Sequence, residues 1–330
     1  MKGIKKAYNW FSSKSTILAL ILLVLFSSIA FSEKDFFSYN SLMNVAKKAA
    51  SDGGFLALGL VFVILTGQID LSVGAVMAMA GVIAGLMQNV NPVLAVLCGL
   101  LVGAACGFVN GFMVAKMRVA SWIATLAMQL AMRGAVLLVT DQKPVSISSK
   151  LLQQLGNLKV FGSVPILVVL LLALTFVCMH VSRNTRYGMA LYAVGGNEEA
   201  ARMMGLKVDR VKIAAYICCD VFAALAGILV AGKLYSAQPN AGKGWETTAI
   251  AMCALGGVKL SGGEGKFSGA FFGAMVIAVI TTIFNYSPSI NTWWQNVVMG
   301  LLVLISVGLQ SEVFKVHRST RKADRQGAAA

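Results

Sequence analysis

The chain has 330 residues, of which 58% are hydrophobic and 12% charged, and its mean hydropathy is +0.77. Soluble domains carry about 25% charged residues, so this composition excludes an ordinary soluble enzyme and describes a polytopic membrane protein. The formal charge of +15, from 28 Lys and Arg against 13 Asp and Glu, would suit nucleic acid in a soluble chain. In a lipid-embedded chain the basic residues belong in cytoplasmic loops, and no nucleic-acid partner is expected.

In chain order, Lys2, Lys5, Lys6 and Lys14 precede an apolar run over 16–31, a basic flank and span that read as a signal anchor entering from the cytoplasm. Ser28-Ile29-Ala30 has the form of a cleavage site but is read as part of the anchor. Residues 35–51 form a polar outer stretch with an interfacial helix carrying Lys47 and Lys48. The apolar run 55–66 is shorter than the roughly 20 residues a helix needs to cross, so that span begins near Val45. Further spans are expected over 75–87, 92–114, 119–140 and 164–181, with a hydrated loop from 141 to 163. Beyond residue 212 the runs 213–231, 248–258, 267–284 and 293–307 complete the set. Ten spans place both termini in the cytoplasm and most basic loops on that face.

The longest charged island in the chain is residues 191–216. Asn197 suits a helix N-cap, Glu198 and Glu199 favour the positive end of a helix, Arg202 falls in the last turn and Gly205 can stop it. About two turns of helix over 198–204 are predicted. An isolated helix that short is marginal in water, so it is expected to dock on another protein.

Three patterns lie within the membrane. Gly67-Gln68-Ile69-Asp70-Leu71-Ser72-Val73-Gly74 and Gly256-Gly257-Val258-Lys259-Leu260-Ser261-Gly262-Gly263 share the form G-x-[IV]-[DK]-L-S-x-G at an offset of 259 − 70 = 189 residues. Six expected spans separate them, which makes the two halves parallel repeats. Each copy follows a short apolar segment, and interrupted helices at membrane depth are tolerated where they are buried in protein or line a watery path. Gln68, Asp70, Ser72, Lys259 and Ser261 are therefore candidates for a translocation pathway, with Asp70 and Lys259 expected to form ion pairs with each other or with other partners near the axis. The alternative is two Gly-rich hairpins alike by chance.

The second pattern, Gly99, Gly103, Gly107 and Gly111, puts a glycine on every fourth residue of one helix and predicts close backbone packing, with a dimer face as the alternative. The third, Ser121, Thr125, Gln129 and Arg133, is a polar stripe that must face protein or water, because Arg at the centre of a lipid-facing helix costs about 2.5–3.5 kcal/mol. Thr125, Gln129 and Arg133 read either as pathway lining or as an interhelical seam, with Asp220 as a candidate partner for Arg133.

Motifs of soluble enzymes are missing. Gly227-Ile228-Leu229-Val230-Ala231-Gly232-Lys233 imitates the start of a phosphate loop, but Leu234 stands where a hydroxyl would hold magnesium. His180 and His317 are far apart, and the six cysteines sit in or beside apolar runs without metal-ligand spacing, so no catalytic residue, disulfide framework or metal site is expected. A membrane enzyme is the distant alternative, and a secondary transporter or facilitator for a small polar solute the nearer one.

Val63-Ile64-Leu65-Thr66 running into the 67–74 motif, Ala193-Val194-Gly195-Gly196-Asn197-Glu198, Ser236-Ala237-Gln238-Pro239 and Leu255-Gly256-Gly257 resemble the permease subunit of ribose-type sugar ABC importers. The likeness extends from Phe36 to the last span. It implies an all-α membrane protein with a single permease domain over 1–330: a cytoplasmic N-terminus at 1–15, a coupling loop at 182–212 and a basic cytoplasmic tail at 310–330. It further implies that Gly196, Asn197, Glu198, Glu199, Ala200, Ala201, Arg202 and Gly205 form a coupling helix seated in a groove of a cytoplasmic ATP-binding cassette subunit. The other implied partners are a second permease copy, or a related permease, and a periplasmic sugar-binding protein that delivers an aldose such as ribose across the bacterial inner membrane. ATP and magnesium belong to the partner subunit, and no cofactor is expected on this chain. Gln68, Cys219-Asp220 and Thr247-Thr248 depart from the family pattern and bear on substrate identity.

Overall fold

A computed structural model describes residues 15–30, 36–160, 162–286, 291 and 293–310. The basic segment 1–14 and the tail 311–330, with His317, lie outside the described residues. The described chain consists of helices joined by turns and loops, with two short two-stranded pairings.

Ser15–Ala30 (α1) is a helix over the run expected as the anchor. Tyr39–Ala49 (α2) starts where Ser38 Oγ accepts the Ser41 N–H at 3.2 Å, and it carries Lys47 and Lys48 as expected. Phe55–Leu65 (α3) follows through a π-helical turn at Ala50–Gly54, where Asp52 and Gly53 (φ 127°) leave helical geometry. Together α2, the turn and α3 make one 27-residue span, Tyr39–Leu65, that begins earlier than Val45. Every residue of α3 is buried, so the apolar surface that reads as half a span is a core helix surrounded by protein.

Val73–Met87 (α4) is short and apolar. Pro92–Ala115 (α5) begins with Pro92 at its first position, and Asn91 Oδ1 accepts from the N–H groups of Val93 and Leu94 at 2.8 and 3.1 Å. Ser121–Thr140 (α6) ends at a left-handed Asp141. The segment expected as a hydrated loop is instead structured. Val145–Ser146 (β1) pairs with Ser236–Ala237 (β4), Lys150–Asn157 (α7) buries Leu152 against Ile228 and Val136, and Lys159–Val160 (β2) pairs with Val164–Pro165 (β3). The spacing of Leu151, Leu152 and Leu155 carries this amphipathic helix, but in sequence the surrounding polar residues hide it.

Ile166–Asn184 (α8) leads to Arg186–Gly196 (α9) and then Glu198–Met203 (α10). Val208–Leu234 (α11), Trp245–Leu255 (α12), Phe267–Tyr286 (α13) and Trp293–Gln310 (α14) complete the chain. Among the described residues six helices are long and apolar enough to cross a membrane: Tyr39–Leu65, α5, α6, α8, α11 and α13. The count of ten expected from the sequence is not confirmed: α1, α4, α12 and α14, of 16, 15, 11 and 18 residues, occupy the other four expected runs but are not among these six.

The 27-residue α11 is the axis of the bundle, packed against α3, α4, α5 and α7. The four-glycine stripe of α5 lies on it. A Cβ on Gly103 would run into the Asp220 carbonyl, one on Gly107 would stand 2.5 Å from the Tyr216 carbonyl oxygen, and one on Gly111 2.7 Å from Ile213 Cα. Gly99 meets Ile228 in the same way. The stripe thus joins two helices of one chain. Such close approach replaces the hydrophobic force that lipid cannot supply between helices. The phosphate-loop look-alike in α11 has the same explanation, since Gly227 lies against the Met77 carbonyl and Gly232 against that of Leu152.

Candidate functional site

Both short core helices stop in the same way. After α3, Thr66 closes the last turn and Gly67 turns left-handed (φ 76°); after α12, Gly256 closes it and Gly257 turns left-handed (φ 77°). The next residue then donates back five positions, Gln68 N–H to Val63 O at 3.3 Å and Val258 N–H to Cys253 O at 3.0 Å. The left-handed glycine and its returning hydrogen bonds make a helix stop. This geometry pairs Gly67 with Gly257, an offset of 190, one more than the 189 read from the sequence. Asp70 and Lys259 consequently do not occupy equivalent positions, and their expected ion pair is absent. Lys259 Nζ meets Glu264 Oε1 at 3.3 Å.

The two loops face one another. Gly263 N–H donates to the Leu65 carbonyl at 3.0 Å, and a Cβ on Gly262 would stand 2.7 Å from Gly67 Cα. Gly195, in the last turn of α9, is wedged between them, where any Cβ would run into the Leu65 carbonyl and stand 2.5 Å from Gly263 N. Tyr192, one turn earlier, donates to the Gly265 carbonyl at 3.0 Å. Gly195 therefore serves close approach and does not break the chain; α9 continues through Gly196.

From that wedge α10 projects. Asn197 caps it, its Oδ1 accepting the Ala200 N–H at 2.9 Å, and Gly205 ends the segment at φ 82°. Ala201 is fully buried, whereas Gly196, Asn197, Glu199, Arg202, Met203, Met204 and Gly205 are exposed and Ala200 half-buried. An ionic chain fastens its inner side: Lys212 Nζ to Glu198 at 2.6 Å, Arg202 to Glu198 at 3.4 Å and to Asp209 at 3.1 Å, and Lys116 to Asp209 at 2.9 Å. Partial burial pushes the Glu198 carboxyl up, but the Lys212 and Arg202 contacts outweigh this and hold it below its ordinary range. Met203 and Met204, 82% and 70% exposed, form an apolar tip that the sequence reading passed over. Their signal was present as two adjacent methionines just before the terminal glycine.

The remaining candidates gather around the first loop. Asp70 Oδ1 accepts from the Ser72 N–H at 2.8 Å and the Ser72 hydroxyl at 2.7 Å. Asn110 of α5 donates through Nδ2 to Ser72 Oγ at 2.9 Å and to Asp220 Oδ2 of α11 at 3.1 Å. All four residues are completely buried. Tyr216 adds a bond to the Ile69 carbonyl at 3.2 Å. Asn110 was not among the sequence candidates, although it is a lone amide in an apolar helix beside Gly111.

The polar stripe on α6 reaches the same loop from the other side and bonds to protein at each of its four residues, although Arg133 Nη2 stays buried without a hydrogen-bond partner among the described residues. Ile69 N–H donates to Ser121 Oγ at 3.4 Å and Leu71 N–H to Thr125 Oγ1 at 3.1 Å. Gln129 donates to Glu246 at 3.0 Å, and Arg133 Nη1 to the carbonyls of Pro239 and Ala241 at 3.0 and 2.9 Å. In this conformation the stripe is an interhelical seam. The Arg133–Asp220 pairing is not formed, because Asp220 faces α5 instead. Gln68 and Lys259 are half-buried and Ser261 is exposed.

A cleft of about 570 Å³ opens elsewhere, between the π turn, α12, α13 and α14. Asp52, Trp245, Thr247, Thr248, Gln295 and Asn296 are on its wall, and none of the pathway candidates is.

Membrane-length helices enclosing two facing helix breaks, with a capped surface helix wired to both, define a polytopic membrane transport protein. Residues 48–307 match the family described as branched-chain amino acid transport system, permease component, and the chain belongs to it. It is 36% identical over 308 residues to the ribose import permease protein RbsC of Escherichia coli strain K12, covering 90% of this chain and 93% of that protein. RbsC of Bacillus subtilis strain 168 is 38% identical over 296 residues, at 88% and 90% coverage. The fructose import permease protein FrcC of Rhizobium meliloti is 32% identical over 326 residues, at 95% and 90%.

Proposed function

We propose that this chain is the membrane-spanning subunit of an ATP-driven importer that moves a monosaccharide, of the ribose type or close to it, across the bacterial inner membrane by alternating access. The relatives' ribose and fructose import names support the solute class. The observation that carries the mechanism is the position of α9 and α10. An exposed, capped helix ends a rod whose last turn is wedged between both helix breaks, so a force applied at α10 reaches both at once.

A cytoplasmic ATP-binding cassette subunit docks on Glu199, Met203 and Met204, burying two apolar side chains that otherwise face water. Its closure on ATP moves α10, and α9 shifts Gly67 and Gly262 together. The helix breaks are the places where such motion is absorbed, since their residues are already outside helical geometry. In this reading both termini and α10 lie on the cytoplasmic face, and the β1–β4 pairing and α7 face a periplasmic sugar-binding protein, an orientation that the basic residues of the cytoplasmic loops support. A second permease, the same chain or a related one, completes the pathway. The chain performs no chemistry on solute, and the ATP and magnesium belong to the docked subunit. The cleft suits solute contact: Trp245 offers an aromatic face, while Asp52, Thr248, Gln295 and Asn296 offer the donors and acceptors that sugar hydroxyls match.

Purification of the tagged chain from its host in mild detergent, with and without Glu199→Lys, tests this reading. Recovery of an ATP-binding protein that the change removes is expected. A clean preparation that transports solute after reconstitution, without ATP, would make the chain a secondary carrier or facilitator.

A further inference from the structure

Among the described residues that line the 570 Å³ cleft, Asp52 is the one carboxylate. It sits where the span Tyr39–Leu65 leaves helical geometry, beside Gly53 at φ 127°, a conformation that glycine adopts and side chains rarely do. A Cβ on Gly53 would also stand 3.2 Å from Met252 Cε, another residue of the cleft wall, and one on Gly54 would run into the Ala49 carbonyl. The kink is therefore fixed in the backbone. π-helical interruptions of this kind concentrate at functional sites.

The carboxylate is also held in place. Lys233, in the last turn of α11, donates through Nζ to Ser51 Oγ at 2.6 Å, and the buried Ser51 hydroxyl donates in turn to Asp52 Oδ1 at 2.6 Å. Lys233 Nζ stands 3.7 Å from the same oxygen. Both contacts fall on Oδ1, and Oδ2 accepts no hydrogen bond among the described residues. The cleft also lies at the far end of the bundle from α10. Arg202 and Glu198 bind Asp209 and Lys212 in the first two turns of α11, whereas Lys233 is in its last, and a helix of that length is about 40 Å long.

We propose that this cleft is the entry site for the solute and that Asp52 is its specificity-determining residue, accepting a hydrogen bond from one sugar hydroxyl through Oδ2; the assignment rests on the reading of the chain as a sugar permease. Ser51 and Lys233 are positioning residues that hold the carboxylate by its other oxygen. A hydroxyl bonded to an ionised acceptor makes a stronger bond than one to a neutral group. Trp245, at the start of α12, supplies an apolar face in the same cleft. A site built to bond a hydroxyl rejects the analogue that lacks it, so Asp52 discriminates among sugars by the position of that one group.

Equilibrium binding to the full chain in nanodiscs, followed by saturation-transfer NMR with ribose and its monodeoxy analogues, tests this without ATP or a partner subunit. Wild type is expected to bind ribose saturably and to lose about ten-fold in affinity when one particular hydroxyl is removed, the size of one hydrogen bond to a charged group. Asp52→Ala should weaken ribose by about as much and bind ribose and that analogue alike. Lys233→Met should shrink the same ratio, and Lys233→Arg should keep it. Should Asp52→Ala fail to fold, Asp52→Asn, which keeps the shape and removes the charge, carries the comparison and should also shrink the ratio. A pin that serves stability alone would lower the melting temperature of these variants and leave the ratio at its wild-type value, which would overturn the assignment. Wild type that binds no sugar, or binds ribose and every monodeoxy analogue equally, would overturn it as well. ATP-dependent uptake in proteoliposomes reports separately on the importer: a chain that binds sugar as expected but transports it without ATP keeps the site and loses only that reading.

Discussion

The two helix breaks share a stop signal and differ in everything after it. Past Gly67 the chain dives into a sealed polar knot: Asp70 and Ser72 are buried, Asn110 and Asp220 close over them, and α4 begins at Val73. Past Gly257 it wanders through ten residues to Phe267, with an exposed Ser261, an ion pair between Lys259 and Glu264, and left-handed glycines at 262, 263 and 265. One break is pinned to the bundle and the other is tied mainly to its neighbour and to α9. Two equivalent hinges would resist a shift of α9 equally; here buried hydrogen bonds make the first break the stiffer anchor and leave the second the looser mover, and the difference lies in side chains that a shared motif conceals.

The contrast breaks most visibly through stability. Asp70→Ala strands the Ser72 N–H and hydroxyl in a dry core and should cost on the order of 3 kcal/mol, at about 1–3 kcal/mol for each stranded donor. Lys259→Ala removes the half-buried arm of an ion pair whose Glu264 end faces solvent and should change stability by no more than about 0.5 kcal/mol. Unfolding of both variants in detergent checks this, and equal losses would erase the distinction between anchor and mover.

A smaller effect concerns the fastening of α10. Glu198 has an ordinary carboxyl value of 4.5 that the fold lowers. Its contribution is then complete above the unfolded value and lost as pH falls through the folded one, so the gap in melting temperature between wild type and Glu198→Gln should be flat above about pH 5 and close only below it. A gap that varied between pH 6 and 8 would show that Glu198 is not held by Lys212 and Arg202.

Much of this was legible in the sequence where a local rule governs. Asn197 and Gly205 bracket α10 because caps act within one turn, and the glycine stripe of α5 follows from helical spacing alone. The repeat is visible in the sequence, but the Leu-Ser identities give it a register of 189, whereas the physical equivalence is set by the left-handed glycines, one place along. Partners chosen by tertiary packing left no trace. Arg133 ends on two backbone carbonyls, which have no sequence signature, and Asn110 meets Asp220 across 110 residues. Opposite charges at Asp70 and Lys259 invited a pairing that the extra length of the second loop removes.

The claim on which the rest depends is that α9 carries motion from α10 to both breaks through Gly195. Gly195→Ala forces a methyl group into the Leu65 carbonyl, whereas Gly196→Ala, one residue on, meets nothing within 4 Å. With the partner ATPase reconstituted in proteoliposomes, Gly195→Ala should still bind the ATPase and permit ATP hydrolysis but lose most ribose uptake, while Gly196→Ala should retain it. Uptake equal in the two variants would contradict the account.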